Sequence, residues 1–245
     1  MNNTELSIQI DLDGFSFSLR SLTEQGSVEL VAAEVKADDL AVIKNYIGAQ
    51  LPSRVVLFSL TESAMVVPAE VYQDQAAKDY LMAMNLCAMP GRVKVACPAL
   101  GAMPSALLRP ESTDSLSDPQ HVVVWALDGQ VEDYVGSIFP NVEWSHPLVP
   151  LIEQTASGSI TVFLTHGVAH IVVSDMNGRL HTARSVRYTN GEDLLYFAGQ
   201  ALQCDGAQGF TLSLCGTVSA EIEALFRSYY AVINVVADPL FLVRL

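Results

Sequence analysis

The sequence predicts a two-domain α/β protein in which mixed sheets are flanked by helices, and three observations carry that prediction. A chain of 245 residues suits two α/β units of roughly 100 to 150 residues each. Half of it is hydrophobic and 16% is charged, which supplies core material and excludes long disorder. The same order of elements, strands followed by a helix and a further strand, is written once over Leu6 to Leu60 and again over Ile160 to Cys215.

In the first copy Leu6, Ile8 and Ile10 alternate with Ser7 and Gln9, and after Asp11-Leu12-Asp13-Gly14 the alternation resumes through Phe15, Phe17 and Leu19. Period two on both sides of an Asp-Gly pair spells a β-hairpin. Val28 to Val35 supplies a third strand, and Asp38 is placed to cap a helix in which Leu40, Ile43 and Ile47 recur at helical spacing. Within Arg54 to Leu60 the run Val55-Val56-Leu57-Phe58 is apolar on both faces, as suits a central parallel strand.

The second copy has strands over Ile160 to Leu164 and Val168 to Ser174 around Thr165-His166-Gly167, then Arg179 to Tyr188 after an Asn177-Gly178 turn. A helix starts near Asn190 with Leu194, Leu195 and Ala198 on one face, and Phe210 to Cys215 is the next strand. Each copy reads as antiparallel strands, a right-handed crossover helix and a strand parallel to the first. We read this as an internal structural duplication.

Between the copies, Val66-Val67-Pro68 precedes a helix with Val71, Tyr72 and Tyr80-Leu81. Leu107 to Gln120, rich in Ser, Pro, Asp and Glu, reads as an exposed loop. A βαβα run follows, with strand His121 to Leu127, helix Gln130 to Phe139, strand Val142 to Trp144 and helix Leu148 to Gln154. That run completes the first domain. The expected domains are residues 1–157 and 158–245.

Lys and Arg number 13 against 27 Asp and Glu, a net charge of −14. Such a surface repels phosphate backbones, and nucleic acid is excluded as a partner. The cysteines Cys87, Cys97, Cys204 and Cys215 lack CxxC spacing and sit among apolar neighbours, which predicts buried thiols in a reducing compartment. Met1 to Glu5 is polar, without the charged and apolar regions of a leader. No apolar run reaches the roughly 18 residues that span a bilayer, so a cytoplasmic location and no membrane insertion are expected.

This order resembles the actin-like ATPase superfamily. The resemblance rests on Leu6-Ser7-Ile8-Gln9-Ile10 with Gly14-Phe15-Ser16-Phe17-Ser18, on Val67-Pro68-Ala69-Glu70-Val71-Tyr72, and on Val123-Val124-Trp125-Ala126-Leu127 through Phe139-Pro140 to His146-Pro147. In detail it is similar to the branch of bacterial pilus-assembly and secretion-assembly proteins, and more so to a bacterial family of unassigned activity with that fold. The resemblance implies two ribonuclease H-like domains related by duplication, each with a mixed five-stranded sheet.

Active members of that superfamily hold nucleotide on three loops, and each is altered here. The first follows an Asp-x-Gly-Thr-like pattern that presents backbone N–H groups to phosphate and a carboxylate to hydrated Mg²⁺. In Asp11-Leu12-Asp13-Gly14-Phe15-Ser16, Asp13 stands where a glycine belongs and Phe15 where a small hydroxyl is usual. The second begins with Thr165 in place of an acid, removing an electrostatic partner of the metal-bound phosphate. The third is Leu214-Cys215-Gly216-Thr217, with a single glycine where the family has two, and Ser219 serves as an N-cap.

Other constellations are weaker. His166 and His170 on strands stand about 13 Å apart, too far to share one metal. His121, His146 and His181 are isolated in sequence and read as structural. Asp11, Asp13 and Asp175 would mimic a nuclease carboxylate cluster, but Asp175 belongs to the other copy. Met82, Met84 and Met89 with Leu81 and Leu86 read as internal packing before a partner groove. Tyr229-Tyr230 and Leu240-Phe241-Leu242-Val243 read as ending in a buried strand.

The sequence therefore predicts a non-catalytic interaction or assembly protein on a degenerate actin-like ATPase scaffold. No metal or cofactor is expected, the partner is a protein, and a homo-oligomer is compatible. The alternative is a nucleotide-binding ATPase or switch that holds ATP and Mg on Asp11, Asp13, Gly14, Gly167 and Gly216.

Overall fold

The computed structural model describes residues 3–11, 14–23, 26–36, 39–48, 52–84, 92–98, 121–202, 209–231 and 233–245. The first copy forms β1 (Asn3–Asp11), β2 (Gly14–Thr23), β3 (Gly26–Val35), α1 (Ile43–Ile47) and β4 (Arg54–Phe58). Next come β5 (Ala64–Pro68), α2 (Ala77–Ala83), β6 (Arg92–Ala96), β7 (His121–Leu127), α3 (Gly129–Ile138), β8 (Val142–Ser145) and α4 (Leu148–Gln154). The second copy forms β9 (Ser159–Leu164), β10 (Val168–Ser174), β11 (Leu180–Arg187), α5 (Gly191–Ala201), β12 (Thr211–Gly216), α6 (Ala220–Tyr229), β13 (Ile233–Val236) and α7 (Phe241–Arg244).

Two five-stranded sheets repeat one topology, β3-β2-β1-β4-β8 and β11-β10-β9-β12-β13. In each, the first strand pairs antiparallel with the second and parallel with the fourth. The predicted duplication is thus present as the same strand order in both halves. A separate three-stranded antiparallel sheet, β5-β7-β6, is an addition to the first half.

The alternation in β1 sorts its side chains onto two buried faces. Leu6 and Ile8, opposite Leu19 and Phe17, pack under Leu40, Ile43 and Ile47, under Val135 of α3 and under Phe139 just after it. On the other face Ser7 and Gln9, opposite Ser18 and Ser16, are also buried, as are Val56 and Phe58 of the neighbouring β4. The second sheet repeats the plan. Ile160, Val162 and Leu164 pack beneath Leu194 and Ala198 of α5 and Phe226 of α6, while Phe163 points the other way.

The inner faces of the two sheets meet in one dry cluster. Val56, Phe58, Trp125, Leu148, Leu151 and Ile152 come from the first half, and Phe163, Val172, Cys215, Leu242 and Val243 from the second. The α7 turn packs against β1, β2 and β12. It is tied to the first sheet by Arg244 on Glu29 at 2.9 Å and by Arg20 donating to the Arg244 carbonyl at 3.1 Å.

Several sequence expectations are corrected. The cap of the first helical segment is Asp39, whose Oδ1 accepts from the Ala41 N–H at 2.9 Å, and Asp38 lies outside the described residues. The helix expected around Val71 and Tyr72 is instead a pair of short 3-10 turns, Ala69–Val71 and Asp74–Ala76, ahead of α2. The strand His121 to Leu127, to which the sequence assigned no sheet, is the central strand β7 of the three-stranded sheet, between β5 and β6. The apolar carboxyl-terminal run is a helix: Asp238 Oδ1 caps the Leu240 N–H at 2.9 Å and starts the turn of α7. The Leu107 to Gln120 segment lies outside the described residues.

Leu242 is 1% exposed within the shared cluster. Leu242→Ala is expected to cost about 2–5 kcal/mol of unfolding free energy, measured by urea denaturation.

Candidate functional site

The three turns singled out in the sequence approach one another, but each is occupied with its own packing. Asp11 pairs with Gly14 across the first hairpin turn. Asp13 lies outside the described residues, as does the Asp11 side chain. A Cβ on Gly14 would overlap the Val35 carbonyl oxygen, so a neighbouring strand already demands glycine there. Gly216, at φ +86°, sits against the Leu164 carbonyl and the Phe163 ring in the same way. Gly167 lies in the left-handed region at φ +83°, where a Cβ would make only an ordinary contact with the Tyr188 carbonyl at 4.0 Å.

Thr165 is buried and closes its own turn. Its Oγ1 donates to the Val168 carbonyl at 3.1 Å, and its carbonyl accepts from the Tyr188 hydroxyl at 2.7 Å. Gly14, His166 and Thr217 share a depression of about 80 Å³ with Gln9, Ser16, Glu34 and Lys36. Among the described residues no group of three or more His, Cys, Asp and Glu side chains is placed to hold a metal ion.

A larger cleft of about 620 Å³ opens against the Thr165-His166-Gly167 turn. It lies at the carboxyl ends of the parallel strands β1, β4 and β8, where α/β sheets form their crevices. Ile10, Leu57, Phe58, Leu60 and Trp144 form the side from the first sheet; Ala126, Leu127 and Val131 come from β7 and α3; Val168 and Tyr188 close the opposite side. Its ionic groups are Glu62, Asp128 and Arg187. Arg187 reaches Glu62 at 2.6 Å although its side chain is 75% exposed, an arrangement worth under about 1 kcal/mol. Asp128 Oδ1 accepts from the Gln130 N–H at 2.7 Å and caps α3.

Of the turn residues predicted for a ligand, Gly167 lines the cleft, Gly14 lines the smaller depression, and Gly216 is buried beneath β9. Sequence reasoning missed Thr61, Glu62, Asp128, Val131, Trp144 and Tyr188. The available signal was the position of Thr61, Glu62, Asp128 and Tyr188 beyond strand ends, with Asp128-Gly129 following β7.

His146 is not isolated, which corrects the sequence reading. Its ring meets that of His170 edge to face at 5.2 Å, in the contact between the two halves. His146 Nε2–H donates to the Thr61 carbonyl at 3.0 Å, and Nδ1 accepts from the Leu148 N–H at 3.2 Å. This pattern belongs to the neutral ring. His170 Nδ1 lies 2.8 Å from Ser185 Oγ, and its Nε2 has no hydrogen-bond partner. Burial pushes His146 down to about 4, partly offset by the Thr61 carbonyl. Burial and then the His146 neighbour drive His170 well below the ordinary value.

The remaining candidates hold no ligand geometry. His166 is exposed and His170 buried. Asp175 organises its own turn, accepting from the N–H groups of Asn177 and Arg179 at 2.8 Å each. Cys215 is buried, and burial pushes its thiol up to about 12, whereas Cys97 is exposed, against the expectation of uniformly buried thiols. Cys87, Cys204, Leu86 and Met89 lie outside the described residues. Met82 and Met84 are exposed, so they do not serve as internal packing.

No family model matches the chain, and no curated protein does. Among solved structures, a Bacteroides thetaiotaomicron protein with an actin-like ATPase fold and unknown function is similar over 98% of this chain and 93% of its own, at 17% identity and a TM-score of 0.71. The cytoplasmic domain of EpsL, an inner-membrane component of the type II secretion system of Vibrio cholerae, is similar over 86% of this chain and 81% of its own, at 11% identity and a TM-score of 0.51. The chain has the actin-like ATPase fold, as the sequence predicts. Kinship at this level leaves activity to be argued from the site.

Gly167→Ala is expected to cost about 1–2 kcal/mol, the penalty of a left-handed backbone alone. Gly216→Ala is expected to cost more, because overlap with Leu164 is added; urea denaturation of the two variants gives the comparison. The buried imidazoles also set a pH dependence. The unfolded chain protonates them below about 6.5 while the fold keeps them neutral, so stability is full above that pH and is lost as pH falls toward 4. His146 alone accounts for roughly 3 kcal/mol of that loss. Replacing both histidines by glutamine flattens the slope in denaturation measured across this range.

Proposed function

We propose that this chain is a non-catalytic interaction or assembly protein that uses the actin-like ATPase scaffold without turning nucleotide over. The observation that carries the proposal is Thr165: a neutral hydroxyl, donating to its own turn at 3.1 Å, occupies the place of a metal-anchoring carboxylate. Phosphoryl transfer depends on such charge being in position before the reaction. The glycines of the other turns are accounted for by backbone packing, which leaves phosphate no part in explaining them.

The dry cluster between the sheets supports the same reading. A nucleotide-driven switch requires two arrangements of its halves that a ligand can bias. Close-packed Phe163, Trp125, Leu148 and Leu242 resist such a change. The likeness to a secretion-system component, EpsL, favours a protein as the partner. Division of the chain near residue 157 and a cytoplasmic setting belong to this proposal. No helix among the described residues is long and apolar enough to cross a membrane.

The meeting of Gly14, His166 and Thr217 at one depression favours a second reading, a nucleotide-binding switch with divergent loops. Thermal denaturation with and without Mg-ATP separates the two. A nucleotide at roughly 100 times its dissociation constant stabilises a fold by about 2.7 kcal/mol. We expect no shift at millimolar Mg-ATP and no hydrolysis above that of an Asp11→Ala control; a shift, or turnover that the substitution abolishes, contradicts the proposal.

A further inference from the structure

We infer that the cleft of about 620 Å³ is the docking site for a segment of a partner protein that presents apolar side chains beside a lysine or arginine. The inference rests on the interaction reading above and names the surface and chemistry that reading leaves open.

Size and lining come first. The volume falls within the roughly 300–1,000 Å³ of binding pockets, which are mostly apolar with a few placed polar groups. Phe58, Trp144 and Tyr188 offer aromatic walls, and Leu60, Val131 and Val168 fill the space between them. Val131 is 39% exposed although it sits among these apolar side chains. The walls come from both halves of the molecule, which the shared cluster holds together, so the site is preformed and little ordering is required on binding.

Charge then selects the occupant. The lining carries the carboxylates of Glu62 and Asp128 against the single guanidinium of Arg187, in a chain whose net charge is −14. An anionic segment is repelled by this field and a cationic one is steered to it. Arg187 is largely in solvent, so a basic residue arriving beside Glu62 exchanges one exposed ion pair for another at small cost. Asp128 stays fixed as the α3 cap and presents its remaining carboxylate oxygen.

The test uses the full chain, labelled with ¹⁵N, titrated with the peptide acetyl-Lys-Leu-Phe-Lys-amide while backbone amide shifts are followed. Two controls accompany it: acetyl-Glu-Leu-Phe-Glu-amide, which reverses the charge, and acetyl-Lys-Ala-Ala-Lys-amide, which removes the anchors. The expected result is saturable shifts at Leu60, Thr61, Val131 and Tyr188, with each control weaker by at least about tenfold. Val131→Lys, a substitution at a partly exposed position, abolishes the shifts while leaving the thermal midpoint in place, and Glu62→Gln weakens binding.

No saturable shift at millimolar peptide, equal binding of all three peptides, or shifts away from the cleft overturns the inference. Phenethylammonium binding as tightly as the peptide also overturns it, by making the site one for small amines. Failure of the peptide with Mg-ATP still inert removes only the docking assignment, whereas ATP turnover removes the reading beneath it.

Discussion

The structure depends on the dry contact between the inner faces of its two sheets. Phe163 stands at its centre, stacked on His170 and on Phe241 with ring centroids 5.9 Å away in each case. Trp125 faces His146 at 5.8 Å, which brings the three-stranded sheet into the same contact. Close packing of this kind transmits strain and tolerates little displacement. It therefore sets the distance between the Thr165 turn and the end of β4, and with it the width of the cleft.

The same contact explains the electrostatics near it. Two imidazoles are held in an apolar environment that disfavours their charged forms. One is satisfied on both ring nitrogens by the Thr61 carbonyl and the Leu148 N–H. Thr61 also lines the cleft, so a side chain from the contact holds the backbone of the cleft wall. The turns at Thr165 and Gly216 are drawn into this architecture. Gly216 lets β12 approach β9, and Thr165 locks its turn to β10 and Tyr188.

Much of the fold was legible because its strands alternate cleanly. The hairpin of β1 and β2 and its counterpart of β9 and β10 follow directly from period two, and the repeated order of strands and helix exposed the duplication. The errors have physical causes. Alternation alone does not say which face is buried: Ser7, Gln9, Ser16 and Ser18 are buried as well, and a carboxyl-terminal turn from far along the chain packs on their strands. A short apolar run such as Leu240 to Val243 carries no period that separates strand from helix, and Asp238 decides it. The apolar Val122 to Trp125 run identifies a strand but not its sheet. The cleft was hidden because its lining is assembled from strand ends dispersed through the sequence, and the pairing of His146 with His170 is likewise a product of topology.

Native-state hydrogen exchange of the whole chain tests the shared contact most directly, because each amide reports the opening that frees it. If the two sheets stand on one core, the slowest amides of β1 and β4 and those of β9 and β12 share a single opening free energy, equal to that of global unfolding. Exchange of either sheet through a separate, lower-energy opening while the other stays protected contradicts the account.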